Sequence, residues 1–381
     1  MSQDRSTRRI RLGMVGGGQG SFIGAAHRIA ARLDDQFELV AGALSSTPAR
    51  AHASAAALHI APERSYADYA EMARAEARRP DGIDAVAIVT PNHLHVPVAR
   101  AFVEQGIHVI CDKPLATSLA EAQALAQRVR ERGVLFLLTH TYSGYPMVRQ
   151  ARELVAEGAI GEVRIVQVEY AQDWLGEPLE RQGNKQAAWR NDPKQAGPAG
   201  ALGDIGTHAY HLAGYVSGLR LGELAAELST FVPGRPLDDH VQVMLRYEGG
   251  ARGMLWASQV ASGSRNGLRL RVYGSTGSLQ FDQEKPEELW LTRPGQPSQC
   301  LYRGVPARAG VAALPHRIPA GHPEGYLEAF AQLYRDFARA WRGEVGVALP
   351  GLAEGLEVMA FIEAVLRSHR EGMRWVRLFT P

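Results

Sequence analysis

The chain has 381 residues, enough for two domains, and 45% of them are apolar, which excludes a disordered or fibrous protein. Lys and Arg total 42 against 40 Asp and Glu, so no basic stripe speaks for a nucleic acid, and the one basic cluster, RSTRRIR, reads as a solvated N-terminal tail. Two cysteines, Cys111 and Cys300, make no disulfide framework, and neither a leader-like run nor the roughly 18 apolar residues of a membrane span is found, so a reducing, cytoplasmic setting is expected.

RIRLGMVGGG opens as a short apolar strand and runs into Gly16, Gly17 and Gly18. IGAAHRIAARL has helical composition and FELVAGAL reads as the next strand. ARAHASAAAL and YADYAEMARAEAR are expected helices, the second with Asp68 near its start. IDAVAIVT is the nearly continuous apolar run of a strand buried on both faces of a parallel sheet. Helix HVPVARAFVEQ, strand IHVI, helix SLAEAQALAQRVRERG and strand VLFLLTH follow. Strands and helices alternating at this spacing predict βαβ units and a doubly wound sheet up to about residue 140.

Beyond that point the texture changes. A helix is expected over PMVRQARELVAEG, an alternating strand over VRIVQVEYAQDW, a long ordered loop over residues 173 to 203, and a helix over IGTHAYHLAGYVSG. DDHVQVMLRYE, ARGMLWASQVA, NGLRLRVYGS and GSLQFD are strand candidates, the first two parted by an EGG turn. They predict a largely antiparallel sheet with one face left for solvent or a partner. Two helices, roughly 323 to 342 and 350 to 370, close the chain. The domains are drawn as 1–140 and 141–381, with the last two helices free to pack on either.

GMVGGGQGSFIG sits after a strand and opens a helix, the setting in which a glycine fingerprint has meaning rather than being a plain glycine-rich turn. Gly16 suits the tight turn, Gly18 the close approach of backbone to a pyrophosphate, and Gly20, Ser21, Phe22 and Ile23 carry the loop into the helix whose N-terminus attracts anions. Ser21 stands where a third Gly or Ala belongs. Gly20 and Gly24 supply the missing freedom, so the loop is longer than standard by about three residues. The second strand ends in GALSSTPAR without the expected carboxylate. Ser45, Ser46 and Thr47, with Arg50 beyond, suit either a 2′-phosphate or a free ribose, so the cofactor is read as NAD or NADP.

The glycine loop, AIVTPNHLHVPVARAFVEQGIHVICDKPLA and GDIGTHAYHL together resemble the Gfo/Idh/MocA family, which includes glucose–fructose oxidoreductase and inositol dehydrogenase; the resemblance spans nearly the whole chain. GGGQGSFIGAAHR and KQAAWRNDP are most similar to its levoglucosan-dehydrogenase-like branch. The resemblance implies an N-terminal Rossmann NAD(P)-binding domain and a C-terminal α/β domain with an open, mostly antiparallel sheet. It implies hydride transfer between a nicotinamide and a hydroxyl carbon of a sugar, anhydrosugar or cyclitol, by homodimers or homotetramers joined through that sheet. It places Lys113 in the family's E/D-K-P motif, behind Asp112 rather than the commoner glutamate. Asp204 and His208 fall on its Asp-x-x-x-His pair, and Thr90, Pro91 and Asn92, with His95 following, on the cofactor near the nicotinamide.

Oxidising a secondary alcohol needs a base for the hydroxyl proton, and histidine is matched to neutral pH. If DIGTHAYHL is helical, Asp204 and His208 share one face. Asp204 either holds a sugar hydroxyl or orients His208; family behaviour favours His208 as the acid/base. Lys113, at the C-terminal end of a parallel strand, suits a group that holds the reacting hydroxyl and stabilises alkoxide character. The plain alternatives are a helix cap with a core histidine, and a surface-turn lysine. His211 is expected to be structural. Trp189 offers a flat plate to a sugar and Arg190 a fork of donors, with Lys185 just upstream. Tyr142 and Tyr145 are further substrate-binding candidates; His322 and Tyr326 come after them. HLH at 93 to 95 lacks a thiolate or carboxylate at ligand spacing, and no metal is required. Two other functions compete: a related oxidoreductase with a tightly held cofactor, and a non-enzymatic NAD(P)H-binding redox sensor, against which the acid–base residues argue.

Overall fold

A computed structural model describes residues 8–306 and 316–378. The chain divides into two compact units, Met1–His140 with Phe330–Leu356, and Thr141–Ala329 with Glu357–Pro381. The first residues of RSTRRIR lie outside the described part. Those that follow are no solvated tail: Arg8 forks onto Asp84 at 2.6 and 2.7 Å, its guanidinium stands 4.9 Å from the Trp341 ring centre, and Ile10 is buried.

In the first unit the strands are β1 (Ile10–Gly16), β2 (Phe37–Ala43), β3 (Ala85–Val89), β4 (His108–Cys111) and β5 (Phe136–Leu138). Between them run α1 (Phe22–Leu33), α2 (Pro48–Ala57), α3 (Tyr69–Arg78), α4 (His95–Val103) and α5 (Leu119–Arg132). All strand pairs are parallel, in the order β2-β1-β3-β4-β5. A lone parallel bridge from Gly42 to Ser65 stands beyond β2 where a third strand would pair. Counted as that strand, it turns the order into the 3-2-1-4-5-6 of a Rossmann sheet. Every residue of β3 is buried, which is why its sequence shows no alternation. Asp68 caps α3 by accepting from Glu71 N at 2.7 Å, the start read from the sequence.

In the second unit α6 (Pro146–Ala156) precedes β6 (Val163–Ala171), and the stretch drawn above as a loop contains a 3-10 turn (Leu179–Gln182), α7 (Lys185–Arg190) and α8 (Pro193–Ala196). Asn184 and Asp192 cap these two short helices, which end before any hydrophobic period can declare itself. After α9 (Thr207–Ser217) come β7 (Leu221–Ser229), β8 (His240–Tyr247), β9 (Arg252–Ser258), β10 (Gly267–Gly274), β11 (Ser278–Asp282), β12 (Glu288–Thr292) and β13 (Gln299–Tyr302). The chain closes with α10 (Tyr326–Trp341), α11 (Leu352–Arg370) and β14 (Val376–Arg377). The nine-stranded sheet runs β13-β12-β11-β10-β6-β9-β8-β7-β14, antiparallel throughout except for the β6–β9 pair. β7, β12, β13 and β14 are absent from the sequence reading. LGELAAELS, the β7 segment, is built of helix formers and becomes a strand through pairing with β8. No helix among the described residues is long and apolar enough to cross a membrane.

Candidate active site

The cofactor-binding candidates of the first unit lie chiefly at the C-terminal ends of β1, β3 and β4. Gly16 and Gly17 take φ of +78° and +71°, and a Cβ on Gly18 would stand 2.6 Å from Leu44 O and 2.8 Å from Ser54 Oγ. Ser21 is the N-cap of α1, its hydroxyl accepting from Gly24 N at 3.1 Å. Gly24 lies against the backbone of Gly17 with no space for a Cβ, so the close helix–strand approach that a third glycine serves occurs three residues later than the standard spacing. The first turn of α1 carries no acid to compete for an anion, Phe22 is largely exposed and Ile23 half-buried. At the end of β3 the Thr90 hydroxyl is buried and has no protein partner among the described residues. A cradle that any side chain would fill, an acid-free helix N-terminus and an orphaned hydroxyl fit a bound dinucleotide.

Elsewhere in this unit the candidates separate. Ser45 accepts from Thr47 N at 3.2 Å, and Ser46 and Arg50 are exposed on the surface after β2. Pro91 leads into a 3-10 turn, Asn92–Leu94, with Asn92 buried. His95, expected beside the cofactor, bonds to the backbone on both sides of its ring. It is buried, its Nδ1 2.6 Å from Pro114 O and its Nε2 3.0 Å from Thr90 O, so it ties together the turns after β3 and β4. Burial pushes its pKa down, and the Pro114 carbonyl pulls it up. Asp112 is also engaged within the fold: it accepts from Thr139 Oγ1 at 2.7 Å and from Lys113 N at 3.3 Å. Lys113 is half-buried just beyond β4, and the Lys113–Pro114 peptide is cis.

In the second unit Asp204 lies in a π-helical turn, Leu202–Gly206, that runs into α9. Of residues 201–210 only Asp204 and His208 are not fully buried, so the two do share the accessible face of this segment. Asp238 fixes its start, accepting from Gly200 N at 2.6 Å and Leu202 N at 2.8 Å; burial pushes its pKa up to about 6 although those N–H groups pull it down. Asp204 Oδ2 accepts from Arg190 Nε at 2.9 Å and Gln259 Nε2 at 2.8 Å. The Arg190 guanidinium lies 4.3 Å from the Trp189 ring centre and 5.6 Å from that of Trp174, and Nη1 donates to Gln186 Oε1 at 2.8 Å.

His208 meets the Tyr142 ring edge to face at 4.9 Å and the Tyr170 ring at 6.3 Å. The Tyr142 and Tyr170 hydroxyls are hydrogen-bonded, and Tyr170 donates onward to Asn266 Oδ1 at 2.7 Å, so Tyr142 donates to Tyr170. Burial raises both phenol pKa values, keeping these donors protonated. Tyr145 is 2% exposed and packs between Tyr142 and Phe281. His211 is buried, stacked on Tyr215, with a pKa lowered by burial to about 3, the structural role expected of it. Tyr326 lies 6.4 Å from Tyr142, while Lys185 and His322 are exposed. Sequence reading missed Tyr170, Asn266, Gln259, Trp174 and Asp238, none of which carries a local motif. Among the described residues no group of three or more His, Cys, Asp or Glu could hold a metal ion.

Residues 10–140 match the model of the oxidoreductase family's NAD-binding Rossmann fold, and residues 148–280 match the GFO/IDH/MocA C-terminal domain. The chain is 35% identical to the uncharacterized oxidoreductase YfiI of Bacillus subtilis over 96% of each chain. It is 32% identical to levoglucosan dehydrogenase of Pseudarthrobacter phenanthrenivorans over 94% of this chain and 96% of that one. Among solved structures, the inositol dehydrogenase homolog of Azotobacter vinelandii complexed with NADH and myo-inositol is 38% identical. Its TM-score is 0.92, covering 98% of this chain and 99% of that one.

Proposed function

The chain belongs to the Gfo/Idh/MocA family of NAD-binding oxidoreductases, and from that premise we propose that it is a dehydrogenase acting on a hydroxyl carbon of a sugar, anhydrosugar or cyclitol. The observation that carries this reading is the face shared by Asp204 and His208, beside which Arg190 lies over two tryptophan rings. A fork of donors with flat apolar plates is what a polyhydroxylated ring requires of a site. The relatives named for levoglucosan and bound to myo-inositol have substrates of that kind.

Bound NAD supplies the hydride acceptor. Gly16, Gly18, Gly20, Ser21, Phe22 and Ile23 would hold its pyrophosphate, the Ser45 and Ser46 hydroxyls its adenosine ribose, and Thr90, Pro91 and Asn92 its nicotinamide end. On the cofactor-binding unit, Lys113, half-buried just beyond β4, is a cation of the kind that stabilises negative charge growing on a reacting oxygen. His208 takes the hydroxyl proton, its ring held at a fixed angle by Tyr142 and Tyr170. Asp204 anchors Arg190 and Gln259, so that Arg190 and Trp189 present a preset surface to the substrate. The chain works as a homo-oligomer joined through the open face of its nine-stranded sheet. Reduction of NAD and NADP is measured with a panel of pyranoses, anhydrosugars and inositols. Turnover of at least one member is expected; NADH binding without turnover of any overturns the dehydrogenase reading and leaves the sensor.

A further inference from the structure

The glycine loop is longer than the three-glycine fingerprint requires, and a longer loop costs more entropy to hold in one shape. Three of its glycines, Gly16, Gly17 and Gly20, take positive φ, which glycine adopts freely and therefore also leaves freely in an unliganded protein. Two side chains from outside the loop meet its backbone on either side of Gly18. Arg28, one turn beyond Gly24 on α1, donates from Nη1 to Gly17 O at 2.5 Å, and the same nitrogen lies 3.7 Å from Met14 Sδ. Ser54, buried on α2, accepts from Gln19 N at 3.2 Å, and its hydroxyl occupies the space behind Gly18. Gly17 is buried, so without Arg28 its carbonyl would lose a charge-assisted bond in a place of low dielectric. With Arg28 in place that carbonyl is spoken for, and a guanidinium charge stands directly beneath the loop that receives a dianionic pyrophosphate.

We propose that Arg28 and Ser54 are positioning residues that clamp the lengthened glycine loop from two helices and preorganise it for NAD(H). This rests on the cofactor reading above. Neither residue touches the reacting atoms; both act through the backbone of Gly17 and Gln19, so their loss registers in cofactor binding ahead of turnover.

The test compares Arg28→Met, Arg28→Lys and Ser54→Ala with the wild type in the full-length protein. NADH fluorescence titration, the KM for NAD and for the polyol, and amide exchange across residues 16–21 are read. Arg28→Met is expected to weaken NADH binding roughly 10- to 100-fold and Ser54→Ala roughly 3- to 10-fold, the range of a lost charged and a lost neutral hydrogen bond. Arg28→Lys, which keeps the charge but not the fork, recovers part of the loss. In each variant the KM for NAD rises, the KM for the polyol stays within about 2-fold, and the Gln19 amide exchanges faster. A folded Arg28→Met or Ser54→Ala protein with wild-type NADH affinity and wild-type exchange at Gln19 overturns the proposal. Should Arg28→Met not fold, Ser54→Ala, which removes one atom, decides it. Failure of the wild type to bind NADH overturns the cofactor reading and this role together, an outcome distinct from unaltered variants of a binding protein.

Discussion

His208 is part-buried, and the rings of Tyr142 and Tyr170 pack against its imidazole. Replacing it by asparagine keeps a polar head but removes the base. Turnover is expected to fall roughly 10²- to 10⁴-fold with the NADH dissociation constant within about 2-fold of wild type. Steady-state assay beside fluorescence titration checks this, and retained turnover takes the base role away from His208. Arg190 poses a different question, because its guanidinium simultaneously bonds Asp204 and Gln186 and lies on two indole faces. A lysine supplies charge but neither the planar fork nor the stacking surface. Arg190→Lys is therefore expected to raise the polyol KM about 10-fold while cofactor affinity stands, and a change in cofactor affinity of equal size would refute a role confined to the substrate. That Asp204 and His208 share a face was legible from their four-residue spacing in DIGTH, while the roles proposed for them rest on the family resemblance. The partners that hold them were not legible, since Gln259, Tyr170 and Asn266 come from strands and loops far along the chain and carry no pattern of their own.

The segment that presents those two residues is an element whose shape is decided from elsewhere. Read as a helix, it is one, but it starts as a π-helical turn, and the Asp238 carboxylate holds the amides of Gly200 and Leu202 at its start. Burial sets the Asp238 pKa to about 6, above the ordinary 3.8. The folded chain therefore binds this proton as pH falls from about 6 to about 4, while the unfolded chain does not. Stability from this group grows as the pH falls through that window and is withheld at neutral pH, by roughly 2–3 kcal/mol. Asp238→Asn has no such titration. Its stability relative to wild type is expected to be about that much more favourable at pH 7 than at pH 4, as read by denaturant unfolding at the two values; an equal difference at both would show that Asp238 does not carry the proton. The α7 and α8 helices teach the complementary lesson. Their caps, Asn184 and Asp192-Pro193, are visible in the sequence, but helices this short have no period to read.

At the scale of the whole chain, the doubly wound unit was legible because buried parallel strands and their crossover helices leave long, unmistakable apolar runs. The apolar stripe of α10 announces burial without saying which sheet receives it: Tyr334 bonds His27 of α1 at 2.8 Å, and Phe337 packs near Phe37 of β2. The antiparallel sheet was legible only where strands alternate, and its open face shows what the alternation is for. Met244 pairs across from Met254, and Tyr273 across from Ile165, all on that face and each between a third and just over half exposed, with Trp290 further along. These apolar side chains lie on several strands of one face, among charged residues such as Arg269 and Glu169. The seam proposed above is this face against a second copy, where a two-fold axis would set the same patch against itself. Light scattering on the eluting wild-type protein is expected to give a multiple of the chain mass. Ile165→Glu with Met254→Glu places two carboxylates in the middle of the contact, where they would have to be buried unpaired, and is expected to shift the protein to monomer with its fold intact by circular dichroism. A wild type that elutes as a monomer at tens of micromolar, or a double variant that keeps its mass, would leave this face to solvent and the oligomer without its seam.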